Sequence, residues 1–303
     1  MSSELERQAR YEATSLGVLR RQFTKYKPLS TNVRLNDALA IVTGSNVGLG
    51  LEASRQLLKL GLPHLIMGVR SQDKGNKAAE ALRKDFPQAT ISVWLVDMQS
   101  YDSVRKFADR CATLQRIDIA ILNAAIAPDQ TFTPAAHTGH ELSMQVNYLS
   151  TALLSILLLP ILRAKKQPSL GAKPPVLSIV GSGTAYGAEI NTEGPVLAQF
   201  DDPQSFDALS TYGNTKLLVH MFTSKLAQFV SPDDIIINVV NPGLTAGTNL
   251  MRSMPLILTM AISVVKGFMA RSLEVGASTY VDAVVVRGKE SHGRFLSDWA
   301  IKP

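Results

Sequence analysis

An apolar run at residues 38–42 passes straight through Thr43-Gly44-Ser45-Asn46-Val47-Gly48-Leu49-Gly50 into a helical pattern, and this junction restricts the fold more than any other feature. The pattern carries Leu49, Ala53, Leu57 and Leu60 at helical spacing and stops at Gly61, a usual helix terminator. A strand that turns through glycines into a helix gathers free backbone N–H groups and the positive end of the helix dipole at one point. One glycine allows the tight turn. A second lets backbone approach a pyrophosphate, and a third lets the helix pack on the sheet. A glycine-rich turn without a ligand is the bland alternative. The place of the turn, directly after the first strand, favours phosphate binding through Gly44, Ser45, Asn46, Gly48, Leu49 and Gly50.

The rest of the chain repeats the alternation. Residues 64–69, 90–97, 117–122, 176–180, 235–240 and 294–297 read as strands, and 73–86, 100–114, 139–162 and 210–229 as helices. Apolar, doubly buried strands alternating with helices mean a parallel sheet covered on both faces. Right-handed crossovers make this a single-domain, doubly wound, Rossmann-like α/β fold over residues 38–303. Residues 1–37 are a polar or amphipathic leader broken by Pro28. In such folds ligands lie at the C-terminal ends of the strands, near the point where strand order reverses.

Composition removes several classes of function. Hydrophobic residues make up 46% and charged residues 18%, which supports a large core and argues against disorder. The net charge of +6 is scattered, so anionic small ligands fit and a nucleic-acid arm does not. Cys111 is the lone cysteine, which excludes an internal disulfide or a cysteine zinc site and fits a reducing, cytoplasmic compartment. The first ten residues lack a signal-peptide core. The apolar runs 149–162 and 254–265 fall short of the roughly 18 residues that a membrane span needs, so membrane contact is at most peripheral, through the second run. His137, His140 and Glu141 lack metal spacing and read as loop and helix-start residues.

Two further patterns carry chemistry. The second strand ends Met67-Gly68-Val69-Arg70, where an acid would hold the ribose 2′-OH of NAD; Arg70, with Lys74 one helical turn on, suits a 2′-phosphate instead and favours NADP(H). Tyr212 and Lys216 stand at i and i+4 on one helix face. An ammonium beside a phenol stabilises phenolate, so the pair is expected to lower the tyrosine pKa and let it exchange a proton near neutrality.

These motifs, in this order, resemble the short-chain dehydrogenase/reductase superfamily over residues 39–299, within its retinol-dehydrogenase-like branch and especially its fungal members. The resemblance rests on the glycine turn at 43–50, Asp97, Leu122-Asn123-Ala124-Ala125, Asn147, Ser182, Tyr212 with Lys216, and Asn241-Pro242-Gly243. It implies that Tyr212 is the proton donor in reduction or the base in oxidation, and that Lys216 lowers its pKa and holds the nicotinamide ribose. Ser182 would polarise a substrate carbonyl, and Asn147 would hold a water in a relay to Lys216. Asp97 would contact the adenine and Asn123 its ribose. Pro242, Gly243, Thr245 and Thr248 would touch the nicotinamide amide. Ala125 and Gly181 replace family residues (a glycine and a serine), and Ser178 and Ser205 compete with Ser182 for the serine role.

The stretch 189–207 is expected to rim the site, and 244–270 to form a substrate lid. Met251, Met254, Met260 and Met269 either line a pocket for an apolar substrate or belong to the core. The leading expectation is NADPH-dependent reduction of a ketone or aldehyde on an apolar, polyketide-like molecule. NAD-dependent alcohol oxidation and a non-redox or merely cofactor-binding member of the fold stand as rivals. The resemblance also allows a homodimer built on the long helix 139–162.

Overall fold

In the computed structural model, residues 3–28, 33–166, 173–247 and 269–303 are described. Eight strands form one sheet in the order β3-β2-β1-β4-β5-β6-β7-β8. They are β1 (Leu39–Thr43), β2 (His64–Val69), β3 (Thr90–Leu95), β4 (Ile119–Leu122), β5 (Val176–Val180), β6 (Ile236–Asn241), β7 (Phe295–Ser297) and β8 (Ala300–Lys302). The first seven pair in parallel and β8 runs antiparallel to β7. Order reverses between β1 and β4, so the glycine turn after β1 and Asn123 after β4 face each other across the switch point.

The helices are α1 (Ser3–Glu12), α2 (Ser15–Gln22), α3 (Gly48–Lys59), α4 (Gln72–Asp85), α5 (Tyr101–Ala112), α6 (Leu142–Met144), α7 (Ser150–Ala164), α8 (Ala208–Ala227) and α9 (Leu273–Val281). Alternate residues of β1 feed opposite faces of the sheet. Leu39 and Ile41 join a core with Phe107, Leu154, Leu158 and Val219; Ala40 and Val42 join another with Leu57, Leu82, Ala277 and Val281. This is why the strands read as unbroken apolar runs.

The structure corrects the expected 139–162 helix. Its first turns are α6 and a π-helical turn, Gln145–Leu149, before α7 begins. The whole helical stretch Leu142–Ala164 has 23 residues, so it is long and apolar enough by length and composition to cross a membrane, unlike the shorter run read from sequence; half of its most apolar window is buried in the protein. Glu141 caps α6 through the Met144 N–H at 2.7 Å, and His140 Nδ1 pairs with Asp201 at 2.7 Å, which gives both the local roles expected of them.

Strand β8 was not legible. It follows a two-residue hairpin in which Asp298 and Trp299 both take positive φ, 57° and 56°. Side chains rarely adopt that conformation, at a cost of roughly 1–2 kcal/mol each. Burial of Trp299 and the 2.6 Å ion pair of Asp298 with Arg271 offset it.

The leader packs onto the domain. Glu12 pairs with Arg21 in α2 and with Lys302 of β8 at 2.7 Å, and the Arg21 guanidinium lies 4.7 Å from the Tyr186 ring centre.

Candidate active site

A cavity of about 1130 Å³ opens along the C-terminal ends of the parallel strands. Its walls bring together Gly44, Asn46, Gly48, Leu49, Arg70, Lys74, Asp97, Asn123, Ser182, Tyr212, Lys216, Pro242, Gly243 and Thr245, which the sequence nominated from separate segments.

At the switch point, side chains stitch β1 to β4. Thr43 Oγ1 accepts from the Asn123 and Ala124 N–H groups at 3.0 and 3.1 Å. Asn123 Nδ2 donates to the Thr43 and Gly44 carbonyls at 2.9 and 3.2 Å, and its Oδ1 accepts from the Tyr280 hydroxyl at 3.2 Å. The amide is spent on protein groups, so Asn123 shapes the ribose wall more than it offers a free contact.

The glycines divide the labour expected of them. Gly48 holds φ at +61° with nothing within 4 Å of where a Cβ would stand, so backbone there meets open cavity. Val47 gives the N-terminus of α3 no side-chain cap. Its first N–H groups can therefore donate to an anion. Gly50 packs instead: a Cβ would sit 2.5 Å from Asn123 Nδ2 and 2.6 Å from the Gly44 carbonyl oxygen. Neither Gly50 nor Ser45 lines the cavity, which corrects their nomination as contacts. Ser45 is fully buried behind the turn, with no partner for its hydroxyl among the described residues.

The next wall is cationic. Arg70, Lys74 and Lys77 line it together with Ser71, the N-cap of α4, and no acid stands at the end of β2. Arg70 and Lys74 make no ion pair among the described residues. Asp97 closes this end, its Oδ1 accepting from the Gln99 N–H at 3.0 Å.

Tyr212 and Lys216, in α8, stand at the other end. Lys216 is buried; its Nζ donates to the Val180 carbonyl at 2.9 Å and lies 5.8 Å from the Tyr212 ring centre. Burial pushes the lysine down to about 8. Burial also pushes the Tyr212 phenol up to about 12, against a hydrogen bond with Ser182 that works to lower it. The expected lowering of the phenol by Lys216 is thus corrected: with the ammonium held against a strand carbonyl, desolvation outweighs it. Ser182 Oγ further accepts from the Thr184 N–H at 3.2 Å and the Thr184 hydroxyl at 3.0 Å. Ser178 is buried within β5 and Ser205 turns onto the Asp202 carbonyl, so Ser182 alone of the three serines lines the cavity.

Asn147 lies behind the wall, in the π-helical turn. Its Oδ1 accepts from the Ile126 N–H at 2.9 Å, and its Nδ2 donates to the Ile126 carbonyl at 2.9 Å and to Thr215 Oγ1 at 3.3 Å. The side chain implied to hold a water is occupied in pinning the loop after β4.

Both departures from the family pattern have local reasons. A Cβ at Gly181 would sit 2.4 Å from His220 Nε2 and 2.4 Å from Val239 Cγ1, so a serine does not fit there. Burial pushes His220 down to about 3, so it packs there as a neutral ring. Ala125 lines the cavity without positive φ and loses nothing by having a side chain.

Residues 189–207 do not rim the cavity: Phe200 packs on Met144 and Leu218, and Asp201 holds His140. Thr248, Met251, Met254 and Met260 lie outside the described residues, as does most of the expected lid. Sequence reasoning missed Val18, Arg21 and Gln22 of α2, Thr184, Tyr280 and Asp298, all in the wall. Thr184 comes in with its neighbour Ser182, two positions away; the others carry no local pattern, because long-range packing brings them in.

The residues present fit a dinucleotide: a capless helix N-terminus beside an open glycine, and a cationic pocket at one end. Comparison with known proteins bears on this. The family model for short chain dehydrogenase matches residues 38–170. The short chain dehydrogenase virL of Hypocrea virens is 57% identical over 303 residues, covering 100% of this chain and 88% of the relative. This chain belongs to the short-chain dehydrogenase family. The short chain dehydrogenase/reductase mfmJ of Annulohypoxylon moriforme is 45% identical over 282 residues, covering 92% and 80%. A short chain dehydrogenase of Escherichia coli CFT073, solved in complex with NADPH, shares the fold at 18% identity and a TM-score of 0.66, covering 89% and 99%. The short-chain dehydrogenase described here is accordingly an oxidoreductase with a nicotinamide cofactor and a small-molecule substrate, and its relatives are fungal, as the motifs implied.

Proposed function

We propose that this short-chain dehydrogenase uses NADPH to reduce a ketone or aldehyde on an apolar, polyketide-type molecule. The observation that carries the reading is the convergence of Ser182, Tyr212 and Lys216 at one end of a single cavity whose other end is lined by Arg70, Lys74 and Lys77. When bound, the nicotinamide supplies the hydride. Arg70 and Lys74 would hold the 2′-phosphate, the turn from Gly44 to Leu49 the pyrophosphate, and Lys216 with Pro242, Gly243 and Thr245 the nicotinamide end. Ser182 orients the carbonyl oxygen by donating its hydroxyl. Tyr212 gives its proton to that oxygen as charge develops. The phenol, pushed up by burial, carries its proton at neutral pH and so has one to give. Val18, Met98, Ile126, Leu142, Val146 and Leu244 supply apolar wall for the substrate. The retinol-dehydrogenase-like branch is part of the same reading and rests on the motifs alone.

Two substitutions test it. Tyr212→Phe should lower kcat by roughly 10²–10⁴-fold with the NADPH Kd unchanged, followed by loss of NADPH absorbance across a panel of apolar carbonyls. Retained turnover would sink the assigned role, and no turnover of any carbonyl by the wild type would favour the non-redox reading. Arg70→Ala should weaken NADPH by about 10–100-fold and leave NADH within twofold, since a charge-assisted bidentate contact is removed. Equal weakening of both cofactors would remove the preference.

The proposed compartment is the cytoplasm. The proposed assembly is a homodimer through α7 and α8, supported by the exposed Ile156 (50%) and Met221 (55%) on those helices. Light scattering from a monomer at micromolar concentration would end the second of these.

A further inference from the structure

The family match begins at residue 38, yet α2 of the leader forms part of the cavity wall. Gln22 is buried, 8% exposed, and its side chain is spent on backbone more than 200 residues away. Its Nε2 donates to the Leu244 and Met269 carbonyls, both at 2.7 Å, and its Oε1 accepts from the Leu244 N–H at 2.9 Å. Arg271 grips the same turn from the other side. Its backbone N–H donates to the Leu244 carbonyl at 2.9 Å, its Nη1 to the Pro242 carbonyl at 3.2 Å, and its Nη2 to the Arg21 carbonyl at 2.5 Å and Asp298 at 2.6 Å.

Between these two side chains lies Gly243, at φ +73°, where a Cβ would meet Arg271 Nη1 at 2.9 Å and Gln22 Oε1 at 3.2 Å. The glycine is thus demanded by contact as well as by conformation. The turn Pro242–Thr245 borders the cavity together with Ser182, Tyr212 and Lys216. Within the turn, Asn241 Oδ1 accepts from the Gly243 N–H at 3.1 Å, and the Thr245 hydroxyl donates to the Gly243 carbonyl at 3.2 Å.

We propose that Gln22 is a positioning residue for the Pro242–Thr245 turn, so that the leader completes the nicotinamide end of the site. This rests on the cofactor reading above. A carboxamide suits the position because it offers two donors and an acceptor in one plane to a carbonyl pair and an N–H. An apolar side chain would take away the partner of the Leu244 N–H and of the Met269 carbonyl, and leave the Leu244 carbonyl with the Arg271 N–H alone. Binding groups displaced by even an ångström lose much of their effect, so Gln22 acts on the cofactor through the turn that it holds.

The test uses the full chain with Gln22→Ala and Gln22→Glu, measuring Leu244 amide hydrogen exchange without cofactor, the NADPH Kd by fluorescence, and KM against kcat. In Gln22→Ala, Leu244 exchange should quicken about tenfold and the NADPH Kd and KM rise about tenfold, with kcat changed less. Gln22→Glu keeps the acceptor and loses both donors. It should keep Leu244 protected and still weaken NADPH, and it covers the case in which the alanine variant does not fold. Lowered thermal stability with Leu244 exchange and NADPH affinity both within twofold of wild type would overturn the proposal, leaving Gln22 a structural residue only. Failure of the wild type to bind NADPH would overturn the cofactor reading instead, while Leu244 exchange would still report whether Gln22 holds the turn.

Discussion

The cavity wall built at β1 and β4 and the wall built at β6 and β7 are held by different means. At β1 and β4, backbone does most of the work: two strands end side by side, a glycine turn opens a helix, and one asparagine and one threonine join them over short distances. At β6 and β7, side chains from opposite ends of the chain do it. Arg271, Asp298, Arg21, Glu12 and Lys302 form a connected set of hydrogen bonds and ion pairs spanning up to 290 positions, and Gln22 meets Arg271 at the Leu244 backbone. The first wall belongs to the half of the sheet that runs from β1 to β4. The second exists only once leader, domain and C-terminus have met. The phosphate end is thus available to any chain of this pattern, whereas the substrate end depends on what is attached before residue 38.

Breaking each wall should therefore have a different size and kind of effect. Arg271→Met carries the largest. It strands the buried Asp298 carboxylate and frees the Pro242 and Arg21 carbonyls, so chemical denaturation should show a loss of about 3–5 kcal/mol. A loss below about 1 kcal/mol would mean the second wall is not held as described. Gly50→Ala should cost less, roughly 1–3 kcal/mol, because one methyl must displace Asn123 and the Gly44 carbonyl. Calorimetric titration should then find NADPH weakened along with stability, since the damage sits in the phosphate turn. A Gly50→Ala protein of wild-type stability and affinity would show that the glycine is not packed against Asn123 and the Gly44 carbonyl as described.

The last measurement reads Lys216 itself. Burial pushes Lys216 down to about 8 from an ordinary 10.5, so the unfolded chain binds the extra proton between those values. Cofactor-free stability should accordingly rise as pH climbs from about 8 to 10. Lys216→Met should make that rise shallower in urea midpoints measured across the window; Lys173, also pushed down to about 8, keeps a rise of its own in both proteins and cancels from their difference. Parallel curves for the two proteins would show that Lys216 keeps its proton in the fold.

Legibility followed the same division. The strands of the sheet, apart from β8, were readable within two residues or so, because doubly buried parallel strands must be apolar on both faces. Tyr212, Lys216, Arg70 and the open Gly48 were found from local spacing, Ser182 from the family resemblance, and all reach the cavity. Gly50 and Ser45 were nominated as contacts and turned out to be packing, since a motif names positions but not which atom faces the ligand. Asn147 followed the motif too, but the π-helical turn aims its amide at Ile126. The hairpin at Asp298 and Trp299 escaped because its strained residues carry no turn signature; an ion pair and a buried indole hold them there.

What the amino-acid order decided alone was the alternation of strand and helix, the glycine turn at the switch point, the missing acid at the end of β2, and the phenol and ammonium one helical turn apart. Each is a short-range relation that the backbone periods of 2 and 3.6 carry into space unaided. Tertiary structure decided the protonation of Tyr212 and Lys216, the roles of Gln22 and Arg271, and the inclusion of the leader in the site. Those depend on desolvation and on contacts between groups hundreds of residues apart, and neither exists until the chain has closed on itself.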